Sequence, residues 1–171
     1  MRNKIGTVAA ALLAMSSWVA AQDAHQHQMD HHHQGVMQRG QQAMGFDQEK
    51  TTHHFRLTSD GGYVQVQANA ADDTANRDHI RMHLQEVAKK FAAGDFSAPE
   101  LTHDRVPPGV PTMQTMKSAI NYQYEELERG GRLLISSADP KAVAAIHKFL
   151  KFQIEDHQTG DPVTVGSASP Q

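Results

Sequence analysis

Between Thr52 and Asp95 the apolar pattern changes period once, and that change limits the possible folds more than any other feature of the chain. His53, Phe55 and Leu57 alternate with His54, Arg56 and Thr58, the period of a half-buried strand. Ser59-Asp60-Gly61-Gly62 supplies residues that tolerate a tight hairpin turn, and Val64, Val66 and Ala68 alternate with Gln65, Gln67 and Asn69 along a return strand. From about Asp73 the period becomes helical, with Ile80, Leu84, Val87 and Phe91 on one stripe and Gly94 at its end. The stretch predicts a β-hairpin followed by an amphipathic helix.

The same order of landmarks returns between Ile120 and Asp161. Gly61-Gly62 has a counterpart in Gly130-Gly131, 69 residues on, while Ile80, Leu84 and Gly94-Asp95 match Ile146, Leu150 and Gly160-Asp161 at an offset of 66. Tyr122 and Tyr124 alternate with Gln123 and Glu125, and Leu133 or Leu134 with Ile135 completes the second hairpin. Asp139-Pro140 is a helix start, with Asp as N-cap and Pro at the first helical position. One ββα unit cannot cover its own apolar face, whereas two can share a core. The expected fold is α+β: a duplicated ββα unit (ββαββα), with a four-stranded antiparallel sheet and two helices on one face. The duplicated domain spans 51–161, its copies 51–95 and 120–161 joined by a Pro-rich irregular loop, 96–119, and a disordered tail follows at 162–171.

The N-terminus reads as an export signal, residues 1–21. Arg2 and Lys4 precede an apolar run from Ile5 to Ala14, and Val19-Ala20-Ala21 places small residues at a cleavage site near Ala21. No other apolar run approaches a membrane span, so no membrane insertion of the mature chain is expected. Removing Arg2 and Lys4 takes the formal net charge from −3 to −5, because no acidic residue precedes Asp23. A mildly acidic chain carries no electrostatic footprint for nucleic acid. There are no cysteines. Soft-metal chemistry in this periplasmic or secreted protein therefore falls to Met and His.

Residues 22–50 form a flexible leader rich in Gln, His and Met, with too few aliphatic residues to fold alone. Five of the twelve histidines, His25, His27, His31, His32 and His33, lie there with Met29, and Met37 and Met44 follow. Imidazole with thioether is a ligand set for copper, as Cu(I) or Cu(II), and imidazole alone also serves zinc. Within the domain, His79 and His83 stand four apart on the first helix, so their rings share a face and can chelate one ion. The residues between them lack the Glu of a metalloprotease motif. His53 and His54 point to opposite faces of their strand. His53 shares parity with the core, which leaves His54 as the surface ligand. His103, Met113 and Met116 flank the Pro-rich loop; they are candidate ligands too, although Met residues also serve as gap fillers beneath loops. His147 and His157 have no helical partner at useful spacing and read as structural or surface residues.

MGFDQEKTTHHF, the Gly-Gly hairpin, HIRMHL and AIHKFLKFQIEDHQTGD together resemble a family of small exported bacterial proteins met in copper and heavy-metal resistance settings. The resemblance covers residues 44–161 and implies metal handling without supplying a mechanism. Sequences of this kind are sometimes labelled aspartate carbamoyltransferase; this chain lacks that enzyme's Ser-x-Arg-Thr motif and the length for its two α/β domains. Three functions are expected from the residues. The first is a periplasmic copper-binding chaperone, buffer or resistance factor, drawing on the leader and on some of His54, His79, His83, His103, Met113 and Met116. The second is a small zinc or copper enzyme, with His79, His83 and His54 or His103 as ligands and Glu86 or Asp104 as base. The third is an interaction module docking on a periplasmic or membrane metal-handling protein, an exporter or a sensor.

Overall fold

The alternation at Thr52 and its counterpart at Asn121 build four strands in the computed structural model, which describes residues 34–36, 39–40 and 44–166. The export signal, the leader ligands His25, His27, Met29, His31, His32 and His33, and residues 167–171 lie outside the described residues. The chain divides into two units, Met1–Gly35 and Val36–Gln171, and every element below belongs to the second. In chain order these are β1 (Thr51–Thr58), β2 (Gly61–Ala68), α1 (Thr74–Ala93), α2 (Ser97–His103), α3 (Val110–Thr115), β3 (Asn121–Leu127), β4 (Gly130–Ser136) and α4 (Pro140–Asp156). The fold is α+β, with one four-stranded antiparallel sheet in the order β1-β2-β4-β3.

Register assigns the faces. Phe55 pairs with Val64, Val64 with Leu133 and Leu133 with Tyr124, so one row carries apolar side chains across the sheet. The adjacent row, His54, Gln65, Arg132 and Glu125, is polar and points the other way. Phe55, Leu57, Leu133 and Ile135 join one buried cluster with Val87 and Phe91 of α1 and Ile146, Phe149 and Leu150 of α4. Ile80 and Leu84 build a second cluster with Phe46, Val66 and Ala68. Each such side chain contributes roughly 1.5–3 kcal/mol by leaving water. The ends of the long helices follow their caps. Asp73 accepts from Asn76 N at 3.1 Å, Gly94 closes α1 at φ 85°, and Asp139 accepts from Lys141 N and Ala142 N ahead of Pro140.

Each long helix grips the hairpin that does not precede it. Arg81 of α1 donates to the carbonyls of Leu127, Glu128 and Gly130 around the second turn. His147 Nε2 of α4 donates to Thr58 O at the first turn, 2.9 Å away. Leu150 packs over Gly62, and Leu84 over Gly131. The turns are linked as well, since Ala68 N donates to Arg129 O and Ser137 N to Asp60 O.

Three local expectations are corrected. The turns are Ser59-Asp60 and Glu128-Arg129, and the glycine pairs instead open β2 and β4. There a Cβ at Gly61 would strike Ile135 O, and one at Gly130 would strike Val66 O. The Pro-rich connection is not irregular throughout, because it holds α2 and α3. Pro99 sits in the first turn of α2 and Pro111 at the start of α3, where the missing N–H costs nothing. Phe96, 1% exposed, anchors the connection by stacking on Phe91 at 4.3 Å. The tail is placed as far as Gly166: Val165 bridges Leu57, and Gly166 N donates to Leu57 O.

Tyr122 is one of the side chains among the described residues whose buried polar atom has no hydrogen-bond partner. The Tyr122 hydroxyl is enclosed with no hydrogen bond, and burial pushes its pKa upward. Tyr122→Phe is expected to raise stability by about 1 kcal/mol, since it removes an unsatisfied polar atom and keeps the ring against Phe91. Urea unfolding of the two proteins checks this, and a loss of stability would show that the hydroxyl is satisfied.

Candidate metal centre

Four imidazoles from four segments line one cavity of about 80 Å³. His53 comes from the middle of β1, His83 from α1, His103 from the end of α2 and His157 from the C-cap of α4. Each position has a local cause. His53 shares parity with Phe55, so the strand turns it toward the helices. His83 precedes Leu84 at the margin of the α1 stripe. His157 lies just past the apolar face that carries Ile154. Met44 joins the same wall, and Phe55, Val64, Val87, Phe91 and Leu133 supply much of the rest.

The rings are close. His53 stacks on His157 with centroids 6.1 Å apart and planes 5° apart, and His103 meets His157 edge-on at 5.0 Å. Phe46 lies against both His53, at 5.8 Å, and His83, at 5.7 Å. Burial lowers the His53 pKa to about 4, helped by the neighbouring His83 and His54. Burial also lowers His83 to about 4, with Lys90 lowering it further and Glu86 opposing. Both rings are therefore neutral at pH 7 and carry a lone pair. His53 Nε2 is buried and has no hydrogen-bond partner.

His103 differs from these two. Its Nδ1 donates to Asp156 Oδ2 at 2.6 Å, its Nε2 lies 3.0 Å from Gln153 Oε1, and Arg105 holds the other Asp156 oxygen at 2.7 Å. Both ring nitrogens are engaged, so His103 is a strut of the cavity wall as it stands. A shallower groove of about 420 Å³ continues outward from the cavity. Met44, His83, Val87 and Ala98 line both, and His79, Met82, Glu86 and Lys90 line the groove alone.

The ligands expected from sequence are thus distributed. His83 reaches the cavity and His79, exposed, stays in the groove, so the i,i+4 pair straddles the opening. His54 lies on the opposite side of its strand from His53, with Nδ1 3.1 Å from Asp161, a buried carboxylate that also takes Arg56 and Phe55 N. Met113 is fully buried in the core and Met116 packs against it; α3 folds onto α4 and uses its sulfur side chains as filler. Among the described residues, no three His, Cys, Asp or Glu side chains form a group able to hold a metal ion. Spacing alone gives His53 as an edge-of-core residue and His157 as a structural or surface one, yet both line the cavity. The parity of His53 with Phe55 and Leu57 was the available signal for its side of the sheet. Comparison with protein-family models, curated proteins and solved structures finds no match to this chain.

Proposed function

We propose that this is a periplasmic metal-binding protein for copper, acting as a chaperone, buffer or resistance factor. The observation that carries the reading is the convergence of His53, His83, His157 and the Met44 thioether on one cavity, with two imidazoles held neutral. Neutral imidazole and thioether are soft-to-borderline donors suited to copper, with zinc the competing ion for imidazole alone. The export signal and the leader ligands His25, His27, Met29, His31, His32 and His33 support the same reading. A leader joined to the domain raises the local ligand concentration and delivers the ion to the groove. The resemblance to exported proteins of metal-resistance settings points the same way. No helix among the described residues is long and apolar enough to cross a membrane.

The scaffold is, in this reading, a duplicated ββα unit with both helices on one face. Its support is the matched grip of the two halves: Arg81 and His147 stand 66 residues apart, and the turn bonds Ala68–Arg129 and Asp60–Ser137 are related by 69. Each helix closing the other unit's hairpin makes neither half complete alone.

A metal-dependent enzyme would need His79, His83 and His54 or His103 around one ion; His83 shares the groove with His79 and the cavity with His103, but His79 does not line the cavity and His54 lies against Asp161 on the other side of its strand. Calorimetric titration of the mature protein with Cu(I) and Cu(II) tests the proposal. Binding tighter than that of a generic histidine peptide is expected, and its absence would sink the reading. Deleting residues 22–33 should lower the stoichiometry and leave a folded-domain site; complete loss would favour a docking module that carries metal only on its leader.

A further inference from the structure

We infer that the cavity holds a single monovalent soft ion, Cu(I), between His53 Nε2, His83 and the Met44 thioether. The inference deepens the copper reading and rests on it. The first ground is the orphaned donor: His53 Nε2 is buried without a hydrogen bond, a cost that a bound ion would cancel. The second is location. His53, His83 and Met44 line the same cavity, Phe46 touches both rings, and His83 and Met44 also line the outer groove, so the ion has a path from solvent.

The third ground is charge. Phe55, Val64, Val87 and Leu133 wall the cavity, and among the described residues no carboxylate lines it. The penalty for burying an ion rises with the square of its charge, so a divalent ion suffers about four times the penalty of a monovalent one. Cu(I) accepts few, soft donors such as two imidazoles and a thioether, whereas Cu(II) and zinc favour harder or fuller coordination shells. The ion enters and leaves as Cu(I), with no electron transferred.

Thermal unfolding of the full mature chain tests this, with Cu(I) under anaerobic reductant and Ag(I) as a redox-inert soft analogue. An ion held within the fold raises Tm by on the order of 5–10 °C at a hundredfold excess over Kd. Ions held only by the leader leave Tm unchanged. Met44→Leu and His83→Gln are expected to abolish most of the shift, and His79→Gln to keep it. Should either variant fail to fold, the His53 Nε2 nitrogen resonance of the unaltered protein provides the second readout and should move on adding one equivalent of Ag(I). Tight copper binding with no change in Tm or in that resonance overturns this site and leaves the copper reading standing. No copper binding of any kind overturns both. Equal stabilisation by Zn(II) and Cu(I) overturns the monovalent assignment.

Discussion

Lowering the pH from 7 to 4 is expected to cost the metal-free domain several kcal/mol of stability through His53 and His83 together. Both have pKa values lowered from 6.5 to about 4, chiefly by burial. In the unfolded chain each imidazole takes a proton as pH falls through 6.5. In the folded domain neither does until about 4. The unfolded state therefore binds more protons within that window, and stability falls with falling pH across it. Above about 6.5 the contribution is complete, and below about 4 no more is lost from these groups. His54 and His83 work against a charge on His53. For His83, Lys90 works against a charge and Glu86 favours it. Since domains of this size have stabilities of about 5–15 kcal/mol, the loss brings the metal-free protein close to unfolding. Urea midpoints at pH 7, 6, 5 and 4 check the effect. A midpoint unchanged between pH 7 and 5 would mean that both rings are hydrated and titrate normally.

Gly62→Ala should cost at least about 3 kcal/mol, and Gly131→Ala, its counterpart in the second hairpin, about 1 kcal/mol. At Gly62 an added Cβ meets the carbonyl oxygen of Arg56 and Leu150 Cδ1. The carbonyl belongs to the backbone of the paired strand and cannot yield without breaking the β1–β2 register. At Gly131 the nearest atoms are Tyr124 Cε2 at 2.7 Å and Leu84 Cδ1 at 3.2 Å, both far ends of side chains that can turn aside. Chemical unfolding of the two variants gives the comparison. Equal costs would mean that the hairpins meet their helices in the same way, against the asymmetry seen here.

Much of the scaffold was legible because its signals are local. Alternation placed the strands, Asp73 and Asp139 marked the helix starts, and Gly94 marked an end. The segment from Phe96 to Ala119 looks irregular in sequence because its prolines resemble breakers, whereas Pro99 and Pro111 occupy first turns. The glycine pairs were given to the turns, although they answer to atoms of distant strands. Helical spacing sets His79 and His83 on one side of α1, but it cannot say where an apolar margin ends and a cavity begins. The partners of His83 come from β1 and from Met44, between 39 and 30 residues earlier in the chain. His157 stands at no metal-ligand spacing from another histidine of its own helix, and the ring it stacks on, His53, lies on a strand. Convergence of that kind depends on tertiary packing.

The most direct test is anomalous diffraction at the copper edge from crystals of the full chain grown with one equivalent of Cu(I). The account predicts one strong peak within bonding distance of His53 Nε2, a His83 nitrogen and the Met44 sulfur. A peak confined to leader histidines, or none in the domain, would contradict it.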